Sequence, residues 1–254
     1  YFGVTICNQY LATFADVDET KTAEVRFLRA LNYYHLMDLY GNVPFTEQVS
    51  AKAAPQYTRK QMYDFLEKEL LEIEPKLSAA TPKKSTDAGY GRVDKAAAWM
   101  LLSRLYLNAQ VYTGTPQWQK AAEYAKKVMD SNYKLYTGAT KNGWTAYQQL
   151  FMGDNGENGA SVEAVFPILQ DGNKTASWGS TLFLMASTFD AGVTVDPNGV
   201  AGNNTSENWA GNRARKSLID KFFPNNNAPY VHANQMTAAA GDDRALFDAL
   251  QADG

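Results

Sequence analysis

From Ala23 to Phe45 the chain reads AEVRFLRALNYYHLMDLYGNVPF. At about 100° per residue, Ala23, Phe27, Ala30, Leu31, Tyr34 and Met37 fall on one apolar stripe roughly 120° wide. The other side is not plainly polar, because Val25, Leu28, Tyr33, Leu36 and Leu39 alternate with Glu24, Arg26, Arg29, Asn32 and Asp38. A helix that is apolar on both sides is covered on both sides. Arg26 and Arg29 interrupt that surface, so their stems should pack and their heads should pair. Gly41 and Pro44 punctuate its end, which predicts a helix over residues 22–40.

The same reading places helices at residues 59–74, 94–112 and 117–131, and a shorter amphipathic run through Phe2, Ile6 and Tyr10. The stretch from Asp94 to Tyr112 has few polar members and should be central, with Ala121, Ala122, Tyr124, Ala125 and Val128 of the next helix packing back on it. Two helices joined by a Gly114/Pro116 turn, with alanines where backbones approach, follow tetratricopeptide logic with a repeat of about 34 residues. Ser78 to Gly89 reads as a polar, broken linker that does not pack. Beyond Tyr136 long periodic runs give way to Gly, Asn, Asp, Ser and Thr, with a strand predicted over Val162 to Leu169 and a helix over Asn212 to Phe223. The organisation is therefore a helical scaffold over 1–136 and a loop-rich region over 137–254. Long irregular segments carry binding function when they occur at all.

The 254 residues are 45% hydrophobic, enough for a sizeable core. A net charge of −3 supplies no basic footprint, so nucleic acid is not an expected partner. One cysteine, Cys7, excludes an internal disulfide, and no apolar run is long enough to span a membrane.

Trp178 and Trp209 stand among residues too small or polar to enclose an indole: Ser177 and Gly179, and Asn208, Ala210 and Gly211. An exposed indole offers a flat, electron-rich face of the kind that covers the C–H face of a pyranose. Buried under long loops, the same residues would be ordinary core tryptophans. Lys174 and Asn208, with Asn173, Asn203, Asn204 and Arg213, are nearby polar candidates for sugar hydroxyls. Asp154 and Glu157 lie in a run with oxygen donors at alternate positions, a partial calcium-loop pattern that a solvated turn also satisfies. His35 and His232 have no cysteine or G-x-S-x-G serine to serve. Asp242 and Asp243 are adjacent and so point to opposite sides. No catalytic activity is expected.

The string E-x-R-F-L-R-A-x-x-Y-x-x-x-x-x-x-Y-G-x-V-P-F, from Glu24 to Phe45, closely resembles the hallmark of the SusD/RagB family. Gly91 to Gly114 and Trp118 to Tyr136 resemble its second signature, and Glu163 to Gly172, Asn212 to Phe223 and Ala239 to Leu246 are similar to segments that follow in the starch-binding SusD branch. The resemblance implies a mainly α fold, a tetratricopeptide-like right-handed superhelix with a loop-rich, minor-β glycan-binding region. It implies a non-catalytic lipoprotein on the outer face of an outer membrane that captures starch or malto-oligosaccharide and hands it to a SusC-type TonB-dependent transporter. On it, Trp178 and Trp209 take the places of two sugar-stacking aromatics, no cofactor is required, and a structural calcium is admissible near Asp154 and Glu157. In the family a signal peptide and lipidated cysteine precede the stretch matched here, so the chain is expected to be an internal piece of a longer protein, anchored through a lipid outside it. A repeat scaffold that binds peptide or protein for uptake is the alternative.

Overall fold

The computed structural model describes residues 1–170, 174, 181–189, 192–200 and 208–250. They divide into two compact units: Tyr1–Leu135 with Ser161–Pro167, and the residues from Tyr136–Ala160 and from Ile168 onward.

The first unit is helical. Helix α1 (Phe2–Phe14) and α2 (Glu19–Tyr40) are followed by a two-stranded antiparallel pair, β1 (Val43–Pro44) and β2 (Gln56–Tyr57), and then by α3 (Arg59–Ile73), α4 (Lys95–Leu107), α5 (Ala109–Thr113) and α6 (Trp118–Met129). α2 starts earlier than its apolar pattern because Asp18 caps it, its carboxylate accepting from the Lys21 N–H at 2.9 Å. Gly41 closes it at φ +79°, where its N–H reaches the Met37 carbonyl and a side chain would be strained. A reciprocal capping box between Thr58 and Gln61 starts α3. α2 packs on α1, α3 and α4, and α4 packs chiefly on α6. There Ser103 donates to the Ala121 carbonyl at 2.9 Å, a close approach that the buried Ala121 permits.

The long helix expected through Tyr112 is instead two helices, because Asn108 leaves helical geometry at φ −95° and ψ 8°. On α6 only Ala121 is fully buried, and Ala122 faces solvent. The polar linker is pinned rather than free. The Asp94 carboxylate, 1% exposed, caps α4 through Ala96 and Ala97, and its other oxygen accepts from the Thr81 N–H at 3.1 Å and the Tyr133 hydroxyl at 2.9 Å. Such a buried carboxylate stays tolerable because its lone pairs are all engaged by donors.

The arginines on α2 behave as expected. Arg26 grips Glu69 with two hydrogen bonds, at 2.9 and 2.6 Å, and adds Glu72 at 2.7 Å. Arg29, with its side chain 5% exposed, donates to Glu69 and Glu47 at 2.8 Å and to Asn8 at 3.1 Å. Burial alone would push the Glu69 carboxyl up, but Arg26 and Arg29 together hold it below its ordinary range. The same Asn8 donates to the Thr46 carbonyl, and the Tyr33 hydroxyl both donates to that carbonyl and accepts from the Thr46 N–H. One polar network therefore joins α1, α2, α3 and the segment between the strands.

The second unit contains α7 (Ala146–Gln149), α8 (Thr181–Thr188), α9 (Lys216–Ile219) and α10 (Ala233–Ala240). Ala228, Met236 and Ala245 form its buried cluster, with Ile219, Phe222 and Phe223 against them. The strand expected over Val162 to Leu169 is absent: Ala160–Glu163 is a 3-10 turn, and the apolar residues that suggested a strand, Val165 and Phe166, pack on the helical core, Phe166 edge-on to Phe27 at 5.7 Å. The helix expected from Asn212 begins only at Lys216, because Asn212 spends its backbone N–H and side-chain amide on Ser187. It ends at Ile219 in a 3-10 turn over Asp220–Phe222.

Replacing Glu69 by alanine would leave two guanidiniums without their shared acceptor, so urea unfolding should show a loss of about 3–5 kcal/mol. Arg26→Ala should cost less, about 1–3 kcal/mol, since Arg29 still neutralises Glu69. A Glu69→Ala loss under about 0.5 kcal/mol, within the range of an ordinary surface change, would refute the network's role. Because the folded-state pKa of Glu69 is depressed, its contribution is present above the unfolded value of about 4.3 and is lost as pH falls through the folded one. The stability gap between wild type and Glu69→Gln should therefore be flat above about pH 5 and shrink in acid; a gap that widens on acidification would contradict the assignment.

Candidate functional site

Trp178 lies outside the described residues, as do Asn173, Asn203 and Asn204. Trp209 does not, and its surroundings explain how an indole is kept at the surface. α8 ends with carbonyls that no further helical turn can satisfy. The segment at Trp209 supplies the donors: the N–H of Trp209 reaches the Ala186 carbonyl at 2.8 Å, that of Ala210 reaches Phe189 at 2.9 Å, and those of Gly211 and Asn212 share the Ser187 carbonyl at 2.8 and 2.7 Å. The Asn212 side chain adds a bond to the Ser187 hydroxyl at 2.7 Å. Following the end of α8 so closely requires a left-handed residue, and Ala210 takes it at φ +52°. The backbone of Trp209 is thereby fixed, while the residue remains 50% exposed.

The ring has a neighbour. Phe183, on α8 and 54% exposed, meets the indole edge-to-face with centroids 5.6 Å apart and planes at 61°. Leu184 and Met185 are exposed beside it, while Ala186 and Ser187 turn inward. α8 thus leaves three consecutive large apolar residues exposed near the tryptophan.

Of the other expected residues, Asn208 is half-buried immediately before Trp209, and Lys174 is exposed. Asp154 and Glu157 share a turn held by the protein's own groups: the Glu157 N–H donates to the Asp154 carbonyl at 2.8 Å, and Asn158 donates to the Asp154 carboxylate at 3.3 Å. Among the described residues no three His, Cys, Asp or Glu side chains converge as a metal site would need. Asp242 pairs with Arg244 at 2.6 Å, which pulls its carboxyl down to about 2, while Asp243 turns away to accept from the Thr145 hydroxyl at 2.6 Å. His232 sits 2.9 Å from Asp248, a carboxylate that also accepts from the backbone of Thr194, Ala233 and Leu250. Burial would raise Asp248, yet those hydrogen bonds hold it below its usual range. Its bonds tie together the start of α10 and the segments at Thr194 and Leu250, a structural task.

Two features were not found from the sequence. Phe183 lay in an uncharged run with no local sign of exposure, and the Asp248 junction joins segments far apart in the chain. Only the contact across the fold reveals either.

Residues 3–107 match a SusD-like family model described as starch-binding and associating with the outer membrane. The chain is 36% identical to the starch-binding protein SusD of Bacteroides thetaiotaomicron over 97% of its own length and 47% of that relative's, so it spans about half the length of the curated relative it matches. Among solved structures, surface glycan-binding protein A from Bacteroides fluxus superposes with a TM-score of 0.60 at 20% identity, over 87% of this chain and 45% of the other. A SusD-like protein from Bacteroides fragilis does so with 0.57 at 22% identity, over 85% and 39%. These two likenesses are of fold, mainly α and tetratricopeptide-like. Over residues 3–107 by the family model, and along nearly its whole length against SusD, the chain is similar to the SusD-like family.

Proposed function

We propose that this chain is the glycan-binding part of a non-catalytic surface protein that captures starch or malto-oligosaccharide at the outer membrane, held there by a lipid anchor outside the chain, and passes it to a SusC-type TonB-dependent transporter. The observation that carries the reading is Trp209, an indole half in water on a backbone pinned to the end of α8. A pinned ring loses little freedom when a sugar stacks on it, so more of the contact energy appears as affinity. In this reading Trp178 supplies a second stacking face, and Asn208 and Lys174 bond to hydroxyls. The relative named for starch binding supports the substrate class, and the sequestered pairings of Asp242, Asp243 and Asp248 support binding without hydrolysis.

The chain should be retained on an amylopectin gel without release of reducing sugar. Each of Trp178→Ala and Trp209→Ala should weaken maltoheptaose binding several-fold in calorimetry, the equivalent of about 0.5–1.5 kcal/mol per ring. A curved platform should also favour cyclodextrin over the extended cellohexaose. Equal affinity for the two, or a double variant that binds starch normally, would overturn both the site and the substrate; retention of peptide in place of glucan would favour an uptake scaffold.

A further inference from the structure

We infer that α6 is held on α3 and α4 by two copies of one three-residue clamp, and that it opens and closes there as a unit while the rest of the helical scaffold stays folded.

Apolar burial is not what chiefly fixes α6. α4 buries seven of its residues and α3 six, whereas α6 buries only Ala121. Two polar groupings reach it instead. In the first, Glu67 of α3 accepts from the Tyr106 hydroxyl of α4 at 2.9 Å and from the Lys120 ammonium of α6 at 3.0 Å, and that ammonium lies 5.0 Å from the centre of the Tyr106 ring. In the second, Glu74, immediately after α3, accepts from the Trp99 indole N–H of α4 at 2.6 Å and from Lys127 of α6 at 2.9 Å, with the ammonium 5.6 Å from the Trp99 ring. Each clamp is thus an acid, a ring that donates to it, and a lysine that pairs with the acid and lies over the ring.

The members recur seven residues apart on every segment: Glu67 and Glu74, Tyr106 and Trp99, Lys120 and Lys127. Seven residues make about two helical turns, so both members of each pair return to the same face. The order reverses on α4, as it must for a helix that runs against both neighbours. Tyr124 fills the gap between the clamps, its ring 5.5 Å from that of Tyr106 and 4.3 Å from the Lys127 ammonium.

Ion pairs and cation–π contacts at partly exposed positions are individually weak. Repeated at two points, they dock a helix in one register yet let it go far more easily than a buried stripe would. The ends of the moving stretch are marked. Gly114 turns at φ +81° before α6, and Tyr133 after it donates to the buried Asp94 carboxylate at 2.9 Å. Between these points, opening takes only Ala121 out of the buried core that α2, α3 and α4 share.

The experiment is amide hydrogen exchange under native conditions, on the wild-type chain and on Lys120→Met, Lys127→Met and Glu67→Gln, with the doubles Glu67→Gln/Lys120→Met and Lys120→Met/Lys127→Met, each checked by circular dichroism. Methionine keeps the apolar stem of lysine without its charge, so the fold is preserved. The α6 amides of the wild type should exchange about tenfold faster than those of α4, or more. Each single variant should speed α6 about 3- to 10-fold and α4 less than twofold. The double within one clamp should add little to either single, whereas the double that takes one lysine from each clamp should multiply the two effects. Lys126→Met, which loses only its pair with Asp130 at the end of α6, should change α6 by about twofold or less. One common exchange rate for α6 and α4 in the wild type and every variant would show a single cooperative unit and overturn the proposal. Clamp variants that leave α6 unchanged, a Lys126→Met effect as large as that of Lys120→Met, or effects that multiply as fully within one clamp as across the two would overturn it as well.

Discussion

Glu69 decides how the first three helices meet. Two guanidiniums from α2 converge on this one carboxylate, whose side chain is 6% exposed, and neither could be buried without it. Taking an ion out of water costs several kcal/mol, which only well-made pairing offsets. The consequence is positional as well as energetic: Arg26 and Arg29 lie about one turn apart on α2, so if α2 slid by one turn against α3 only one of them would still face Glu69. Asn8 and Glu47 extend the same constraint to α1 and to the segment between the strands.

The second unit obeys the same rule with backbone groups in place of charges. A helix end needs donors, and the Trp209 segment supplies them through its N–H groups. The left-handed Ala210 costs roughly 1 kcal/mol or more of strain, offset by the hydrogen bonds that the conformation allows. The indole stays half exposed while its backbone N–H is committed to the Ala186 carbonyl.

What could be read from the sequence follows from how local each cause is. α2 and α3 are legible because their apolar period, the box of Thr58 and Gln61 and the stop at Gly41 all lie within a few residues. The need for partners at Arg26 and Arg29 is legible too, though not that both would choose Glu69, some forty positions away. The break at Asn108 escapes because a single Asn in an apolar run looks like a tolerated surface position. Val165 and Phe166 mislead because a short apolar run suits a strand and a loop dipping into a core equally well. Trp209 was identifiable by flanks too small to cover it, whereas Phe183 becomes meaningful only through a contact 26 positions distant.

The central claim is that the aromatic surface exists before any sugar arrives. Amide hydrogen exchange tests it most directly, because the N–H groups of Trp209, Ala210, Gly211 and Asn212 are the ones that fasten the indole to α8. Without ligand these amides should exchange as slowly as those within α8, and saturating β-cyclodextrin should slow them little. Exchange at free-chain rates without sugar, with protection appearing only when it is added, would show that the ligand builds the platform and would contradict the account.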